Sequence, residues 1–365
     1  EVSKSSTEEK QTLSAQVLKA IVDSDSGKIN IINDDIKDTM IKQTIESAQN
    51  QAEGTGVQQT QDMTAIVSDI IVNSNTETGS KIIEELNNSS TDTENDLSLQ
   101  VISAISEKDT TKLNTLSENN KEQIEKLTET AIKNADASEE SAQLIAKVVA
   151  VASDELVNKV VEEVSKNSTE ENQALSAKVM KSIVETNPEK IETLSDENKQ
   201  TMISQTIESA KNQAEGTSSD ELDLSNTIAE IVTNSDTGTA AKVLESLEEV
   251  SNDSNSKLSL NVVSNLTKQE NYEEKMEILS VTSSVVEQSI TKLVEKAVEN
   301  ASSEEDLEMV TNIVENSKGT IADKIIDSAN NNEESKKKIT KVIVKVVEKN
   351  PEKAVEIIEK NKNTN

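Results

Sequence analysis

Hydrophobic residues recur three to four positions apart along most of the chain. One such stripe contains Met202, Ile203 and Ile207, and Ser, Asn, Gln, Glu and Lys fill the positions between stripes. This spacing places apolar side chains on one face of a helix. Ile and Val favour strands, but the period-two alternation of a half-buried strand is nearly absent. The pattern therefore predicts short amphipathic helices of about 8 to 18 residues.

Two other arrangements compete with packed helices. A coiled coil needs an apolar heptad that continues for several turns, and clusters of Ser, Asn or Gly interrupt every such run. Disordered, highly charged chains share the low hydrophobic content of this one, but paired Ile and Val on helical faces are not typical of them. Disorder and other helical arrangements stay open as alternatives.

Several motifs have the composition of a helix N-terminus. Ser before two acidic residues supplies a capping oxygen and places negative charge at the positive end of the helix dipole. Asn-Pro-Glu adds proline at the first helical position. Stretches rich in Gly, Asn and Ser, such as residues 53–56 and 87–96, predict helix ends. The predicted starts lie at Ser138, Ser153, Ser219 and Ser303, and at Asn187-Pro188 and Asn350-Pro351.

The chain contains a long internal duplication. Residues 1–56 and 163–218 are identical at 35 of 56 aligned positions, with an unbroken offset of 162. A shorter period lies inside it, because Leu-Ser motifs begin at Leu13, Leu97, Leu175 and Leu258. Their spacing indicates a unit of about 80 residues.

These repeats predict an all-α fold, an α-solenoid of tandem short-helix repeats. A repeat that cannot bury its apolar stripe alone has to stack on its neighbours. We expect a first helical repeat pair at residues 1–162, its duplicate at residues 163–324, and the start of a further repeat at residues 325–365.

Composition limits the chemistry available to the chain. Cys, His, Trp and Phe are absent, all 37 basic residues are Lys, and Tyr272 is the single aromatic residue. We expect Tyr272 to be a half-exposed packing residue beside a short helix at residues 273–279. The missing types supply most nucleophiles, transition-metal ligands and stacking surfaces.

Carboxylates are the abundant reactive groups, but nothing in their pattern indicates a catalytic pair. Glycoside hydrolysis needs a protonated carboxyl in a cleft, usually with aromatic platforms. We expect the acidic pairs to form solvated faces or first-turn dipole partners, and Ser and Thr to lack a His base. The sequence therefore predicts a protein that is not an enzyme, with no catalytic, cofactor-binding or metal-binding residues. The pairs are Glu162-Glu163, Glu304-Glu305 and Glu333-Glu334.

Calcium is the one ion for which the sequence contains a candidate binding loop. Residues 22–35 resemble an EF-hand loop in their Asp and Gly content, but Val22 and Ser26 stand where charged oxygen ligands are needed. We interpret Asp23 and Asp25 as turn residues. The alternative is weak calcium binding there, or by flexible oxygens of residues 87–96.

Two further motifs have ordinary explanations. Asn-x-Ser/Thr triplets arise by chance in a chain rich in these residues and matter only in a secretory pathway. Lys336-Lys337-Lys338 is too short and too acidic in context for a nucleic-acid patch. The triplets begin at Asn88, Asn167, Asn252, Asn265 and Asn300.

Charge narrows the choice of partners. The net charge of -32 repels nucleic-acid phosphates and anionic membrane surfaces, so neither is expected as a partner, whereas a basic protein is possible. No run approaches the about 20 apolar residues of a membrane span, so membrane insertion is not expected. A chain without thiols is compatible with any compartment.

The two ends of the sequence look like interrupted repeats. Glu1 aligns with Glu163, which lies inside a predicted helix at residues 153–166, and apolar residues continue through Val355, Ile357 and Ile358. Solenoids usually close their ends with polar faces. We therefore expect either a segment of a longer polypeptide or a subunit that self-associates through open repeat ends.

These observations favour a structural protein. Duplication extends length without adding a site, and negative charge keeps an abundant polymer soluble. The sequence predicts a segment or subunit of an extracellular or cell-surface fibre, sheath or adhesin stalk, assembled by end-to-end or side-by-side helix packing. The alternative is an acidic α-solenoid scaffold, with a cytoplasmic location, that binds a protein or peptide along its concave face.

Overall fold

The computed structural model describes residues 7–54, 62–89, 97–166, 169–216, 223–252, 257–282, 284–317, 320–353 and 355, with the backbone alone at residues 26, 30, 252 and 320. Within these ranges the regular structure is helical, and no strand occurs. The predicted all-α fold of tandem short helices is confirmed.

The helices are short, and polar turns separate them. Two 3-10 helices, Ser26–Ile31 and Ser328–Asn330, accompany the α-helices of the described residues. The α-helices are α1 (Glu8–Ser24), α2 (Asp34–Ala52), α3 (Met63–Asn73), α4 (Thr76–Ser89), α5 (Leu97–Lys108), α6 (Thr110–Asn119), α7 (Lys121–Asn134), α8 (Glu139–Val151), α9 (Asp154–Val164), α10 (Glu170–Thr186), α11 (Glu189–Glu192), α12 (Asp196–Ala214), α13 (Leu224–Asn234), α14 (Thr237–Asn252), α15 (Leu258–Leu266), α16 (Tyr272–Thr282), α17 (Ser284–Asn300), α18 (Glu304–Asn316), α19 (Thr320–Asp327) and α20 (Glu333–Lys349).

The chain divides into two compact units, Glu1–Asn198 and Lys199–Asn365, and the division falls inside α12. The predicted segments 1–162, 163–324 and 325–365 follow the sequence duplication rather than this division, and they stay a prediction. Each unit is described by itself below.

In the first unit the helices stack in two rows. One row contains α1, α3, α5, α8 and α10, and the other contains α2, α4, α7 and α9, each helix packing on the next in its row. A helix of the first row and the helix or helices that follow it in the chain form a hairpin. The predicted 80-residue unit therefore contains two hairpins, and stacking of hairpins is the arrangement of an α-solenoid.

The second unit repeats this pattern. Helices α13, α15, α18 and α20 form one row, and α14, α17 and α19 form the other. The equivalence follows from the sequence, since α18 and α20 align with α8 and α10 of the first unit. The same hairpin is thus used in both units.

The core of the described residues is almost entirely aliphatic. Ile, Val, Leu, Met and Ala fill it, and Tyr272 is its one aromatic side chain. The prediction that Tyr272 is half-exposed is wrong, because its side chain is buried at 7 % exposure. The Tyr272 hydroxyl has two acceptors within reach, the Glu273 carboxylate at 3.0 Å and the Asn316 carbonyl oxygen at 3.4 Å, and these partners let the polar tip enter the core.

Most predicted helix starts carry the expected caps. The hydroxyls of Ser138 and Ser153 accept from backbone N–H groups in the first turns of α8 and α9, and Ser303 forms a reciprocal capping box with Asp306. Pro188 stands at the cap position of the short helix α11, one residue later than predicted. Ser219 lies outside the described residues.

Helix ends agree in part with the sequence prediction. Gly54 and its duplicate Gly216 follow the ends of α2 and α12 with φ of +64° and +71°, a left-handed conformation that glycine adopts without strain. In contrast, α4 continues to Ser89, so the stretch predicted as a helix end begins inside a helix. Asn87 is buried there, and its amide donates to the carbonyl of Gln123 at 2.8 Å. This hydrogen bond takes the place of the water that would solvate an asparagine side chain in a loop.

Asparagine amides join consecutive hairpins of the first unit. Asn158 on α9 donates to the Thr193 carbonyl at 3.1 Å and accepts from the Ser195 N–H at 2.7 Å. Asn114 on α6 contacts the Val151 carbonyl and the Ser153 N–H in the same way. Each amide therefore satisfies one acceptor and one donor at a turn of the following hairpin.

Lysines satisfy carbonyl groups at helix C-termini of the preceding hairpin. Such carbonyls lack intrahelical partners and carry the negative end of the helix dipole, so an ammonium group is a favourable partner. This hydrogen bond from a lysine to a helix C-terminal carbonyl occurs in both units. The pairs are Lys112 with Ser74, Lys190 with Ala152, and Lys275 with Ser235.

We predict that Asn158→Ala lowers the unfolding free energy by about 2 kcal/mol, because it leaves one turn donor and one acceptor without their partner. Chemical denaturation measures the change. Asn119→Ala is the matched control, since the Asn119 amide is exposed and bonds only within its helix, to the Thr115 carbonyl; it should change stability by less than about 0.5 kcal/mol. Equal losses in the two variants would contradict a special role for Asn158.

Candidate functional site

The paired acidic residues lie mainly at helix N-termini and in ion pairs with lysines. Glu304 pairs with Lys341 at 3.2 Å, and Glu334 pairs with Lys338 at 3.2 Å. Both acids belong to the first turn of a helix, α18 or α20, where the helix dipole favours negative charge. Glu162 is exposed to solvent. These acids do not converge on a common point.

Glu163 departs from the prediction of a solvated face, because its side chain is only 5 % exposed. Lys159 and Lys166 approach it to 2.8 and 3.0 Å. Burial alone would raise the pKa of the Glu163 carboxyl, but the bonds to the two lysines outweigh burial and hold that pKa below its ordinary value. Lysines four positions before and three after an acid were the sequence signal for this cluster.

A groove of about 410 Å³ lies beside this cluster in the first unit. Its lining combines apolar side chains with charges of both signs. Lys166 lies 3.8 Å from Glu129 and 3.0 Å from Glu163. The groove is thus a seam between hairpins in which Lys166 already pairs with two of the acids. The lining residues are Glu129, Ile132, Lys133, Ala135, Ala137, Glu163, Val164, Lys166, Glu171, Asn172 and Leu175.

The second unit has a longer groove along α13, α15 and α18. Two cavities of about 400 and 300 Å³ adjoin there and share Ser264, Lys268 and Met309. Met309 and Ile313 form its apolar part. The ammonium of Lys268 donates to the Asn265 side-chain oxygen at 2.9 Å. We call this the α15–α18 groove.

The corresponding surface of the first unit is bridged. Lys147 on α8 pairs with Glu107 on α5 at 2.6 Å. By alignment, Lys268 replaces Glu107 and Asn312 replaces Lys147, so the same ion pair cannot form in the second unit. The two units therefore share a fold and differ in this surface.

Asp306 is a buried acid near the α15–α18 groove, with 3 % of its side chain exposed. Lys257 lies 2.6 Å from one carboxylate oxygen, and the N–H groups of Ser302 and Ser303 donate to the other at 2.9 and 2.8 Å. Burial opposes ionisation, but these bonds together hold the pKa of the Asp306 carboxyl well below its usual range. The group joins α15 to α18.

Among the described residues, large apolar side chains are exposed at Val355, after α20, and in three other places. The first is the outer side of the first hairpin, at Leu13, Ile31 and Ile36. The second is one side of α20, at Val344 and Val347. The third is the α16–α17 junction, at Ile278, Val281 and Val285.

Asp23 and Asp25, the aspartates of the EF-hand-like segment, have other partners in the structure. Asp25 caps the 3-10 helix by accepting from the Gly27 N–H at 3.0 Å, and Asp23 pairs with Lys19 at 2.6 Å. Residues 90–96 of the second suggested loop lie outside the described residues. Weak calcium binding stays a prediction.

The five Asn-x-Ser/Thr triplets differ in accessibility. Asn88 is exposed, and Asn300 is half-buried. Asn265 is buried, and its amide donates to Asp223 at 3.2 Å, so this triplet is closed to modification in the folded chain. Asn167 and the side chain of Asn252 lie outside the described residues.

The described part of the chain contains no group of three or more acidic residues arranged to hold a metal ion. Nor does any helix in that part combine the length and apolar content that crossing a bilayer requires.

Comparisons with known proteins add little to this description. No protein-family model matches the chain, and no curated protein matches it. Among solved structures, the crystal structure of an engineered protein is similar at 13% sequence identity, covering 98% of this chain and 96% of that one with a TM-score of 0.38. The helices themselves define the class, an all-α helical-repeat protein.

We predict that Asp306→Asn destabilises the second unit by about 2 kcal/mol at neutral pH, because it leaves Lys257 without its ionised partner. The folded pKa of Asp306 is lowered, so its contribution is present above the unfolded pKa of about 4 and is lost as the pH falls below it. Denaturation from pH 7 downward should show the two chains converging.

Glu305→Gln is the control for this prediction, since Glu305 is an exposed acid in the same helical turn. It should change the unfolding free energy by less than about 0.5 kcal/mol. A difference between wild type and Asp306→Asn that grows as the pH falls would show that the sign is wrong.

Proposed function

We propose that the chain is a non-enzymatic structural repeat protein, a segment or subunit of an extracellular or cell-surface fibre, sheath or adhesin stalk. The main support is that polar side chains bridge consecutive hairpins instead of converging on an enclosed site. Asn158, Lys112 and Lys190 all bond across such seams.

Ion pairs also connect consecutive hairpins across these seams. Asp69 on α3 contacts Lys19 on α1 at 3.0 Å and Lys108 on α5 at 2.7 Å. One acid thus connects three successive helices of a row. Single exposed pairs contribute little, but a network over many repeats adds. Such connections suit a protein whose task is to hold a stack of hairpins together under load.

The duplication supports the same proposal. Residues 163–218 repeat residues 1–56 at 35 of 56 positions, which adds length with no new reactive group. The net charge of -32 keeps neighbouring molecules apart except where specific faces meet. Self-association through open repeat ends belongs to this proposal.

Mechanical unfolding of the whole chain tests the structural role. A stack with contacts only between neighbours should unfold in steps of about 40 residues, each releasing about 14 nm of chain. Optical-tweezers extension at constant speed measures these steps. Asn158→Ala should lower the force of a step in the first unit and leave the others unchanged. Rupture of the whole chain in a single event would contradict the proposal.

Location in the source needs a separate measurement. Antibody labelling in electron microscopy should place the chain on a filament, sheath or surface layer. Label confined to the cell interior would count against this role and favour the alternative.

That alternative is an acidic scaffold in the cytoplasm that binds a basic protein or peptide. The α15–α18 groove favours it, because the groove is open where the first unit carries the Lys147–Glu107 pair. Three acids line the groove against one lysine, Lys268, although one of them, Glu308, already pairs with two lysines of α20; the other two acids are Asp223 and Glu305. A lysine-rich peptide should then bind, and its affinity should fall as the salt concentration rises. Met309→Glu should change the dissociation constant of this peptide.

A further inference from the structure

The α15–α18 groove is open because the second unit lacks two side-chain bridges that the first unit has. The ion pair between α5 and α8 is one of them. The other joins α3 to α5, where the Thr64 hydroxyl donates to the Gln100 side-chain oxygen at 3.2 Å. By alignment, Ser225 replaces Thr64 and the shorter Asn261 replaces Gln100. Ser225 and Asn261 instead line the cavity of about 400 Å³.

These replacements leave polar groups along the groove. Ser225 and Ser264 line it, although they are only 3% and 6% exposed. Asn261 lies beside them on α15, and Asn316 lies across the groove on α18. Within the described ranges, neither the two serine hydroxyls nor the two asparagine side-chain amides have a hydrogen-bond partner. Buried polar groups of this kind favour a ligand that can bond to them.

The chemistry of the lining matches the main chain of a peptide. An asparagine amide offers donors and an acceptor, as a peptide group does. Met309 and Ile313 add an apolar surface for an aliphatic side chain, and exposed Glu305 adds a negative charge. The lining contains no aromatic ring on which a sugar could stack, and the net charge of -32 repels nucleic acid.

We propose that the α15–α18 groove binds an extended peptide segment of another protein through its main chain. An aliphatic side chain of the peptide lies on Met309 and Ile313, and a basic side chain lies near Glu305. Packed helices are about 8–10 Å apart, which is close to the length of three extended residues, so successive helices contact every third residue. This inference rests on the scaffold alternative and names what the scaffold recognises.

Fluorescence anisotropy of a dye-labelled peptide with the whole chain tests the proposal. The probe is a peptide of about nine residues, built from Leu-Lys-Ala repeats with blocked ends. It should bind with a dissociation constant below about 100 µM. The same peptide with alternate amide nitrogens methylated keeps its side chains and charge but loses N–H donors. It should bind at least about ten-fold more weakly.

Residues of the first unit supply the matched variant. Ser225→Thr combined with Asn261→Gln restores the side-chain pair that joins α3 to α5, so the fold should be retained and the groove narrowed. Peptide binding should weaken at least about ten-fold. Asn119→Ala is the control, because the Asn119 amide is exposed and lies in the other unit. It should leave the dissociation constant unchanged.

The outcomes separate main-chain recognition from attraction by charge. Equal binding of the methylated and unmethylated peptides would overturn main-chain recognition and leave the scaffold alternative standing on charge alone. Binding of neither peptide at about 1 mM would overturn both. A double variant that binds the peptide as tightly as wild type, or a groove that binds chitohexaose instead of the peptide, would also overturn the inference. The fibre proposal is decided separately, by the mechanical unfolding described above.

Discussion

Stacking of one hairpin on the next is the interaction on which the rest of the structure depends. A hairpin built from Ile, Val, Leu, Met and Ala has a narrow apolar stripe, and without Phe or Trp it buries little area by itself. Each helix row therefore has to continue through its neighbours to complete a core. Leu175 and its duplicate Leu13 illustrate this, since Leu175 is 5% exposed in α10, which packs on α8, whereas Leu13 in α1 is 43% exposed.

Stacking brings polar backbone groups together with the apolar stripes. Helix ends carry carbonyl and N–H groups that need partners once a neighbouring hairpin excludes water. Asn158 and Lys190 supply those partners from adjacent hairpins. A lysine ammonium is sufficient for these bonds, because a carbonyl oxygen needs only one donor and not the planar, bidentate guanidinium of arginine. The absence of arginine is therefore compatible with a well-satisfied structure.

The fold was largely predictable because its signals are local and repeated. Helical periodicity, Ser caps before paired acids and the duplication at offset 162 each act within one or two helices. Tyr272 was mispredicted because its burial depends on a backbone partner in another helix, the Asn316 carbonyl. Glu163 did carry a local signal in Lys159 and Lys166, which the interpretation of the acidic pair as a solvated face left unused. The prediction of a helix end at Asn87 was wrong because the partner of its side chain, the Gln123 carbonyl, belongs to another helix.

The interaction surfaces were predictable only in outline. Which side chains remain uncovered depends on how each helix rotates in its row. The α15–α18 groove gave no signal in the sequence alone. Its cavities lie where Lys268 and Asn312 replace the Glu107–Lys147 ion pair of the first unit.

The spacing of the seam bonds has a kinetic consequence. The inter-hairpin hydrogen bonds and ion pairs connect residues about 35 to 50 positions apart, a small separation in a chain of 365 residues. Contact order is therefore low, and little loop-closure entropy has to be lost before a native contact forms. Each hairpin can fold as soon as its own residues and those of one neighbour leave the ribosome, so adding repeats lengthens synthesis without slowing the folding of any one of them.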